Sequence, residues 1–165
     1  MAVDMLVRLY DLPALEPLLT EVRQQGLLIR RADPWERTPL LAFVRAQFSQ
    51  AWADEISAGL SRQPFSVFVA EDHGELVGFA AYHCTRLNYF GPEGVREDYR
   101  GRGLGRALLL CCLGAMGEEG YGYAVIGAAG PQEFYHRACG ATPIEGSCPG
   151  VYGSLLRRRA RPPAQ

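Results

Sequence analysis

Apolar and polar positions alternate along the first two thirds of the chain in a pattern that predicts strands and two helices. Apolar runs bounded by turn residues predict four strands, at residues 26–32, 65–71, 75–84 and a fourth that ends near Val95. Asp33-Pro34 predicts the start of one helix, because aspartate caps helices and proline suits their first turn. A second helix is predicted at about residues 51–61, and Asp72-His73-Gly74 predicts a hairpin turn.

The last third of the chain continues this alternation around one long apolar helix. The helix is predicted from Leu104 to about Met116 and is apolar on nearly all sides, so we expect it to be buried. The pattern then predicts a strand, a short helix and two last strands, at residues 121–126, 134–138, 142–145 and 151–156. This order of elements is typical of an α+β domain.

The length suits one domain with a sizeable core. The first 25 residues hold an apolar stretch, Leu6–Leu12, and a short predicted helix before Gly26. We expect them to form an N-terminal extension of strand and helix packed on the domain. The domain itself is predicted at residues 26–156, and residues 157–165 are predicted to be a basic, proline-containing C-terminal tail.

A glycine-rich, basic turn separates the fourth strand from the long helix. Its sequence is Arg100-Gly-Arg-Gly-Leu-Gly-Arg106, and the glycines leave no Cβ to hold a ligand away from the main chain. Backbone N–H groups of the turn and of the helix N-terminus can converge there on a phosphate. The turn therefore predicts an anion cradle, with a ligand-free glycine turn as the alternative. The absence of lysine from the sequence excludes a Walker A loop, and Arg106 excludes a dinucleotide GxGxxG fingerprint.

The spacing RxxGxG from Arg100 to Gly105, with Val95 upstream and an apolar helix downstream, resembles a family motif. It is similar to the [RQ]xxGx[GA] motif of the GNAT (GCN5-related) N-acetyltransferase superfamily. The resemblance implies the GNAT acyltransferase fold, an α+β fold with a mixed, mostly antiparallel seven-stranded sheet flanked by helices. It also implies an N-acetyltransferase with acetyl-CoA as cosubstrate and no metal. The acetyl group would pass to a primary amine by direct attack in a ternary complex, and the acceptor, a small-molecule or peptide amine, stays open.

The resemblance also assigns site residues. It places CoA binding at the end of the fourth strand and in the turn, at Gly94, Val95, Arg100, Gly101, Arg102, Gly103, Leu104, Gly105 and Arg106. The N–H of Val95 would stabilise the oxyanion, and Tyr135 would protonate the departing CoA thiolate. Two departures from the family pattern are an extra residue before Gly140 and Ala128 in place of the usual Asn. The alternative role for Tyr135 is a helix residue with a solvent-facing hydroxyl.

The general base has two candidates. Glu93 is the carboxylate in the strand before the turn, and His83 on the preceding strand is its rival, with a packed histidine as the simpler interpretation of His83. Trp52, Asp54 and Glu55 are candidates for an acceptor pocket, because cationic amines favour acidic and aromatic walls. An ordinary amphipathic helix face is the alternative for these three residues.

Composition narrows the classes of function. A net charge of −1 argues against nucleic-acid and membrane-surface partners. Five cysteines without a CxxC pair and three histidines offer no zinc-ligand spacing, and they predict free thiols in a reducing cytoplasm. Neither a signal peptide nor a membrane span is visible. The resemblance adds a homodimer as the expected assembly. A non-catalytic acyl-CoA-binding or regulatory GNAT-like module is the alternative function, because the usual Asn and an obvious base are missing.

Overall fold

The computed structural model describes residues 2–154. Seven strands form one sheet in the order β2-β3-β4-β5-β6-β1-β7. Their bounds are β1 Val3–Arg8, β2 Leu27–Arg31, β3 Val67–Asp72, β4 Glu75–Tyr82, β5 Tyr89–Val95, β6 Tyr123–Ala129 and β7 Thr142–Pro143. Strands β5 and β6 pair in parallel, whereas the other neighbours pair antiparallel. The α+β fold and the mixed, mostly antiparallel sheet are thereby confirmed.

Five α-helices flank the sheet, and they cover both of its faces. They are α1 Glu16–Gln24, α2 Arg37–Gln47, α3 Gln50–Gly59, α4 Leu104–Glu118 and α5 Gln132–Cys139. Helices α2 and α3 bury Leu40, Val44 and Ile56 against one face of the sheet. Helix α4 packs on the other face and is buried along most of its length, as its all-round apolar sequence predicts. Strand β4 contributes to both cores, because successive side chains of a strand point to opposite faces of the sheet. Phe79 lies in the core under α2 and α3, and Ala80 lies in the core under α4.

The N-terminal segment differs from its prediction as an extension packed on the domain. Strand β1 lies inside the sheet, where Leu6 pairs with Val125 of β6 and with Thr142 of β7. Met5 and Val7 are buried because both edges and the α4 face of β1 are covered. The N-terminal segment therefore contributes an internal strand of the sheet, which begins at residue 3.

The predicted strand at residues 151–156 is wrong within the described part of the chain. Residues Gly150–Ser154 form a 3₁₀ turn, and Gly150 has a φ of +56°, which glycine tolerates without the steric cost of a Cβ. Residues 155–156 and the predicted tail at 157–165 lie outside the described residues. Within residues 2–154 the sheet thus has the expected seven strands, but one of them is β1 instead of the strand predicted at residues 151–156.

Two smaller observations complete the fold. All five cysteines are unpaired, three of them are buried, and Cys148 is exposed. No helix within residues 2–154 has the length and apolar character needed to cross a bilayer.

Candidate active site

A cleft of about 870 Å³ opens where two neighbouring strands separate. Strands β5 and β6 pair at Tyr89/Val125 and Phe90/Ile126, and beyond these pairs their edges diverge. The rest of β5 forms one side of the cleft and residues 127–129 of β6 form the other. Helices α3, α4 and α5 and the glycine turn complete its lining. Because the strand edges are not paired with each other here, main-chain groups of β5 are open to a ligand.

The backbone of Val95 is directed into this cleft. The N–H of Arg96 donates to the carbonyl of Val77 on β4 at 2.8 Å. Because successive N–H groups of a strand point to opposite edges, the N–H of Val95 faces away from β4 and toward the separated edge of β6. The Val95 carbonyl also faces that side, since it accepts a hydrogen bond from Arg100 Nε at 3.2 Å. The expected oxyanion donor is therefore aimed at the gap between the strands.

The glycine turn forms a cradle of unpaired N–H groups at the start of α4. Gly101 and Gly103 have φ values of +76° and +83°, which side-chain-bearing residues rarely adopt. Gly103 caps the helix, and its carbonyl accepts from the N–H of Ala107 at 3.0 Å. The N–H groups of residues 104–106 precede this first helical bond and have no acceptor within the helix. The partial positive charge of the helix N-terminus adds to the attraction for an anion.

Two of the three arginines of the turn line the cleft. Arg100 and Arg106 border it, together with the glycines of the turn and Leu104. The side chain of Arg102 lies elsewhere, with its guanidinium carbon 4.6 Å from the centroid of the Tyr99 ring. Arg96 packs on the same ring at 4.7 Å, and the Tyr99 hydroxyl donates to Asp72 at 2.5 Å. The side chain of Arg102 therefore lies against Tyr99 and does not line the cleft, so the charged side chains of the turn that border the cleft are those of Arg100 and Arg106.

Tyr135 and Glu93 lie on the α4 side of the cleft. Tyr135 packs against Phe90 at a centroid distance of 6.2 Å and lines the cleft. Burial, and next the nearby Glu93 carboxyl, raise the pKa of Tyr135 above its usual value, so its phenol keeps its proton at neutral pH. Glu93 of β5 pairs with Ala80 of β4, and Ala80 belongs to the core under α4. Because paired residues of neighbouring strands project from the same face of a sheet, the side chain of Glu93 points to the α4 face.

The carboxyl group of Glu93 is unusual because one of its oxygen atoms is buried without a partner in the described part of the chain. Its Oε1 atom has no hydrogen-bond partner within residues 2–154. An added Cβ at Gly105 would lie 3.4 Å from this atom, so the carboxyl group sits beneath the first turn of α4. Burial raises the pKa of Glu93 well above its usual range, because the charged form loses its hydration. A titratable group that lines a cleft, with a buried oxygen atom that has no hydrogen-bond partner, is typical of a functional site.

His83, the rival base, does not line the cleft. Its side chain is almost fully buried, and its Nδ1 accepts from the N–H of Asn88 at 2.9 Å. The other nitrogen, Nε2, therefore carries the hydrogen and donates to Glu119 at 3.1 Å. Burial, the largest influence, lowers the pKa of His83, so the ring is a neutral member of a structural network.

The α3 residues proposed for an acceptor pocket divide into two groups. Trp52 and Glu55 line the cleft. Asp54 is exposed and accepts a hydrogen bond from Gln50 at 2.7 Å, so it takes no part in the cleft.

Sequence reasoning missed several residues that shape the cleft. Phe48, Thr85 and Tyr152 line it. Asp4 of β1 supports it from behind, because its buried carboxylate accepts from the N–H of Ala128 at 2.8 Å and from the Tyr89 hydroxyl at 3.3 Å. Ala128, which stands where the family usually has Asn, has a φ of +45° at this bend. A lone carboxylate within the apolar run at residues 3–7 was the signal that could have drawn attention to Asp4.

Comparisons with known proteins agree with this geometry. Residues 63–138 match the family model of the acetyltransferase (GNAT) domain. The GCN5-related glucosamine N-acetyltransferase region of a fungal multi-domain GH3 β-N-acetylglucosaminidase superposes with a TM-score of 0.70 at 16% identity, covering 86% of this chain and 19% of that one. A GCN5-related N-acetyltransferase from Sphaerobacter thermophilus gives 0.64 at 20% identity, covering 86% and 48% of the two chains. A GNAT acetyltransferase from Brucella melitensis, solved with acetyl-CoA, gives 0.54 at 20% identity and covers 67% and 80%.

The fold is therefore that of the GNAT acetyltransferases, and residues 63–138, just under half of the chain, are similar to the acetyltransferase (GNAT) domain. The chain spans about half or less of the length of the fungal and Sphaerobacter proteins. No curated protein matches the sequence.

Proposed function

We propose that the protein transfers the acetyl group of acetyl-CoA to a primary amine by direct attack in a ternary complex, without a metal ion. The observation that carries this proposal is the cradle at Gly103, which opens into the gap between β5 and β6. The cradle supplies N–H groups and two arginines for a pyrophosphate, and the gap supplies the free edge of β5 for an extended arm with amide groups. These are the surfaces that acetyl-CoA requires.

The reaction balances with one proton moving from the amine to the thiol. The amine nitrogen attacks the thioester carbon, a C–N bond forms, and the N–H of Val95 stabilises the negative oxygen. The C–S bond then breaks, and the departing thiolate takes a proton from the hydroxyl of Tyr135. The proton that the amine loses passes to a base, for which Glu93 is our candidate. Glu93 then releases the proton that it accepted to solvent and Tyr135 regains a proton from solvent, so the enzyme returns to its starting state.

A panel of amines tests this function directly. Acetyl-CoA is incubated with the wild-type protein and each amine, including amines on peptides, and both the CoA thiol and the N-acetyl product are quantified. We expect thiol release that depends on the amine and equals the amount of product formed. Binding of acetyl-CoA without turnover on any amine would favour the alternative, a non-catalytic acyl-CoA-binding or regulatory module. Failure to bind acetyl-CoA would contradict both functions.

The cradle itself is tested by replacing Gly103 with alanine. Gly103 lines the cleft, and we expect Gly103→Ala to weaken acetyl-CoA binding at least tenfold in calorimetry, because the new methyl group enters the space needed by the pyrophosphate. The matched control is Gly120→Ala at the end of α4, where φ is +98° and an added Cβ, as at Gly103, has no heavy atom within 4 Å. Both substitutions impose a left-handed backbone on alanine, at a cost of about 1–2 kcal/mol. Equal affinity of the two variants for acetyl-CoA would contradict the cradle.

Two further predictions of the sequence, a cytosolic location and a homodimer, stay predictions.

A further inference from the structure

The end of the cleft away from the cradle has a chemistry of its own. Its lining combines three aromatic rings, one carboxylate and two hydroxyl groups, from Phe48, Trp52, Glu55, Thr85 and Tyr152. We call this set the acceptor half of the cleft. It lies on the α2–α3 face of the sheet, whereas Tyr135 and Glu93 lie on the α4 face.

The aromatic wall of the acceptor half is fixed in place. The rings of Phe48 and Trp52 stack at a centroid distance of 5.5 Å and an interplanar angle of 28°. Both pack edge-on against Phe79, at 5.5 and 6.2 Å, and Phe79 is fully buried. The Phe48 ring also touches β5, since an added Cβ at Gly94 would lie 2.5 Å from it. A rigid apolar surface therefore adjoins the strand that we propose holds the thioester.

The carboxylate of Glu55 is the charged group of this half. It is half-buried and accepts a hydrogen bond from the Thr85 hydroxyl, which fixes the position of one of its oxygens. The hydroxyl of Tyr152 lies against β6, 2.5 Å from the position of an added Cβ at Gly127. A partly desolvated carboxylate beside aromatic faces is a favourable site for an ammonium group, through a charge-assisted hydrogen bond and cation–π attraction.

No positive charge in the described lining balances this carboxylate. Within residues 2–154, the basic side chains that line the cleft are Arg100 and Arg106, and both belong to the cradle at the other end. The nearby Arg86 is exposed, and its guanidinium donates to the main-chain carbonyl of Thr85 at 2.7 Å instead of lining the cleft. Among the described residues, an anionic group on the acceptor would therefore meet the like charge of Glu55 without a basic partner in the lining.

We infer from this arrangement that the acceptor is a cationic primary amine with an apolar body and no anionic group. Its ammonium group first pairs with Glu55 and must then lose a proton before the nitrogen attacks the thioester, while its carbon skeleton packs on Phe48 and Trp52. This inference rests on the proposed function, because it names the class of amine that the same cleft acetylates.

The experiment compares three acceptors that share one skeleton: 2-phenylethylamine, L-phenylalanine and L-phenylalanine amide. They differ in the group on the carbon next to the amine, which is absent, anionic or neutral. We expect kcat/KM for 2-phenylethylamine to exceed that for phenylalanine at least 100-fold, and the amide to recover most of the difference. Each rate is followed through CoA thiol release at saturating acetyl-CoA.

The Glu55→Gln variant separates the ammonium contact from packing. Glutamine keeps the acceptor for the Thr85 hydroxyl but lacks the charge, so KM for 2-phenylethylamine should rise about tenfold or more, in line with the strength of hydrogen bonds to charged groups. The affinity for acetyl-CoA, measured by calorimetry, should not change. Asp54→Asn is the matched control on the same helix, and its kinetics should equal those of the wild type, because Asp54 is exposed and bonded to Gln50.

The outcomes distinguish this inference from the function on which it rests. Turnover of phenylalanine as fast as that of 2-phenylethylamine, or an unchanged KM in Glu55→Gln, would overturn the inference and leave the acetyltransferase intact. Turnover of none of the three amines or of any other amine, with acetyl-CoA bound, would overturn the proposed function and the inference together.

Discussion

Replacing Tyr135 with phenylalanine should lower kcat by on the order of 100-fold or more and leave the affinity for acetyl-CoA nearly unchanged. The reason is that only the proton donor is lost, whereas the ring keeps its packing against Phe90. The phenol of Tyr135 is protonated at neutral pH, so the proton is available to the thiolate, although burial raises the pKa of Tyr135 and makes it a weaker acid than an exposed tyrosine. Single-turnover kinetics with a saturating amine measure the chemical step directly.

The melting temperature of the same variant separates catalysis from structure. The Tyr135 hydroxyl makes no hydrogen bond to another described residue, so its removal should change the free energy of unfolding by less than the roughly 1 kcal/mol of a typical hydrogen bond. Tyr123→Phe is the control, because it removes a phenol oxygen outside the cleft whose partner is Tyr10. Near-wild-type turnover by Tyr135→Phe with an active amine would show that another group protonates the thiolate.

Local sequence was sufficient to predict the backbone geometry of the glycine turn. Its parts are consecutive: a strand ends at Val95, positive φ angles at Gly101 and Gly103 turn the chain, and α4 begins at Leu104. Glycine spacing and apolar periodicity report such features without knowledge of distant contacts. The long buried helix was predictable for the same reason, since its all-round apolar sequence excludes an exposed surface.

The acceptor half of the cleft was only partly predictable, because it depends on contacts between distant parts of the chain. Trp52 and Glu55 could be proposed from their residue types, but which of Asp54 and Glu55 faces the cleft depends on how α3 packs. Thr85 and Tyr152 reach the site from a loop and from a 3₁₀ turn that the periodicity misassigned as a strand. Apolar periodicity identifies an element but does not identify its partner.

The supporting contacts behind the site show the same limit. Asp4 bonds to Ala128 across 124 positions of sequence, and the pairing of β1 with β6 that makes this contact was not visible in an apolar N-terminal stretch. The position of the Arg102 side chain could not be predicted from local sequence either. Arg102 lies between Gly101 and Gly103, which both have positive φ angles, and its side chain packs on the Tyr99 ring instead of lining the cleft.

Replacing Glu93 with glutamine should make the protein more stable at neutral pH. Below the usual carboxyl pKa of about 4.5, Glu93 is neutral in both the folded and the unfolded chain, so the two proteins should unfold with similar free energies. Above it, the unfolded chain gains free energy by ionising, whereas the buried carboxyl group cannot. The wild type should therefore lose about 1.4 kcal/mol per pH unit relative to Glu93→Gln, until the pH reaches the raised pKa of the folded protein. Chemical denaturation at a series of pH values measures this difference.

The same variant should be less active, although it is more stable. If Glu93 accepts the proton of the amine, kcat/KM of the wild type rises as the pH passes the raised pKa of Glu93, and Glu93→Gln loses this rise together with about 100-fold or more in rate. Comparing the two proteins on one amine removes the contribution of the amine's own ionisation. Glu97→Gln, at an exposed carboxyl group further along the chain, is the control and should change neither profile. Stability that rises without a loss of rate would show that Glu93 is buried but is not the base, and among residues 2–154 the acidic group left in the cleft lining would then be Glu55.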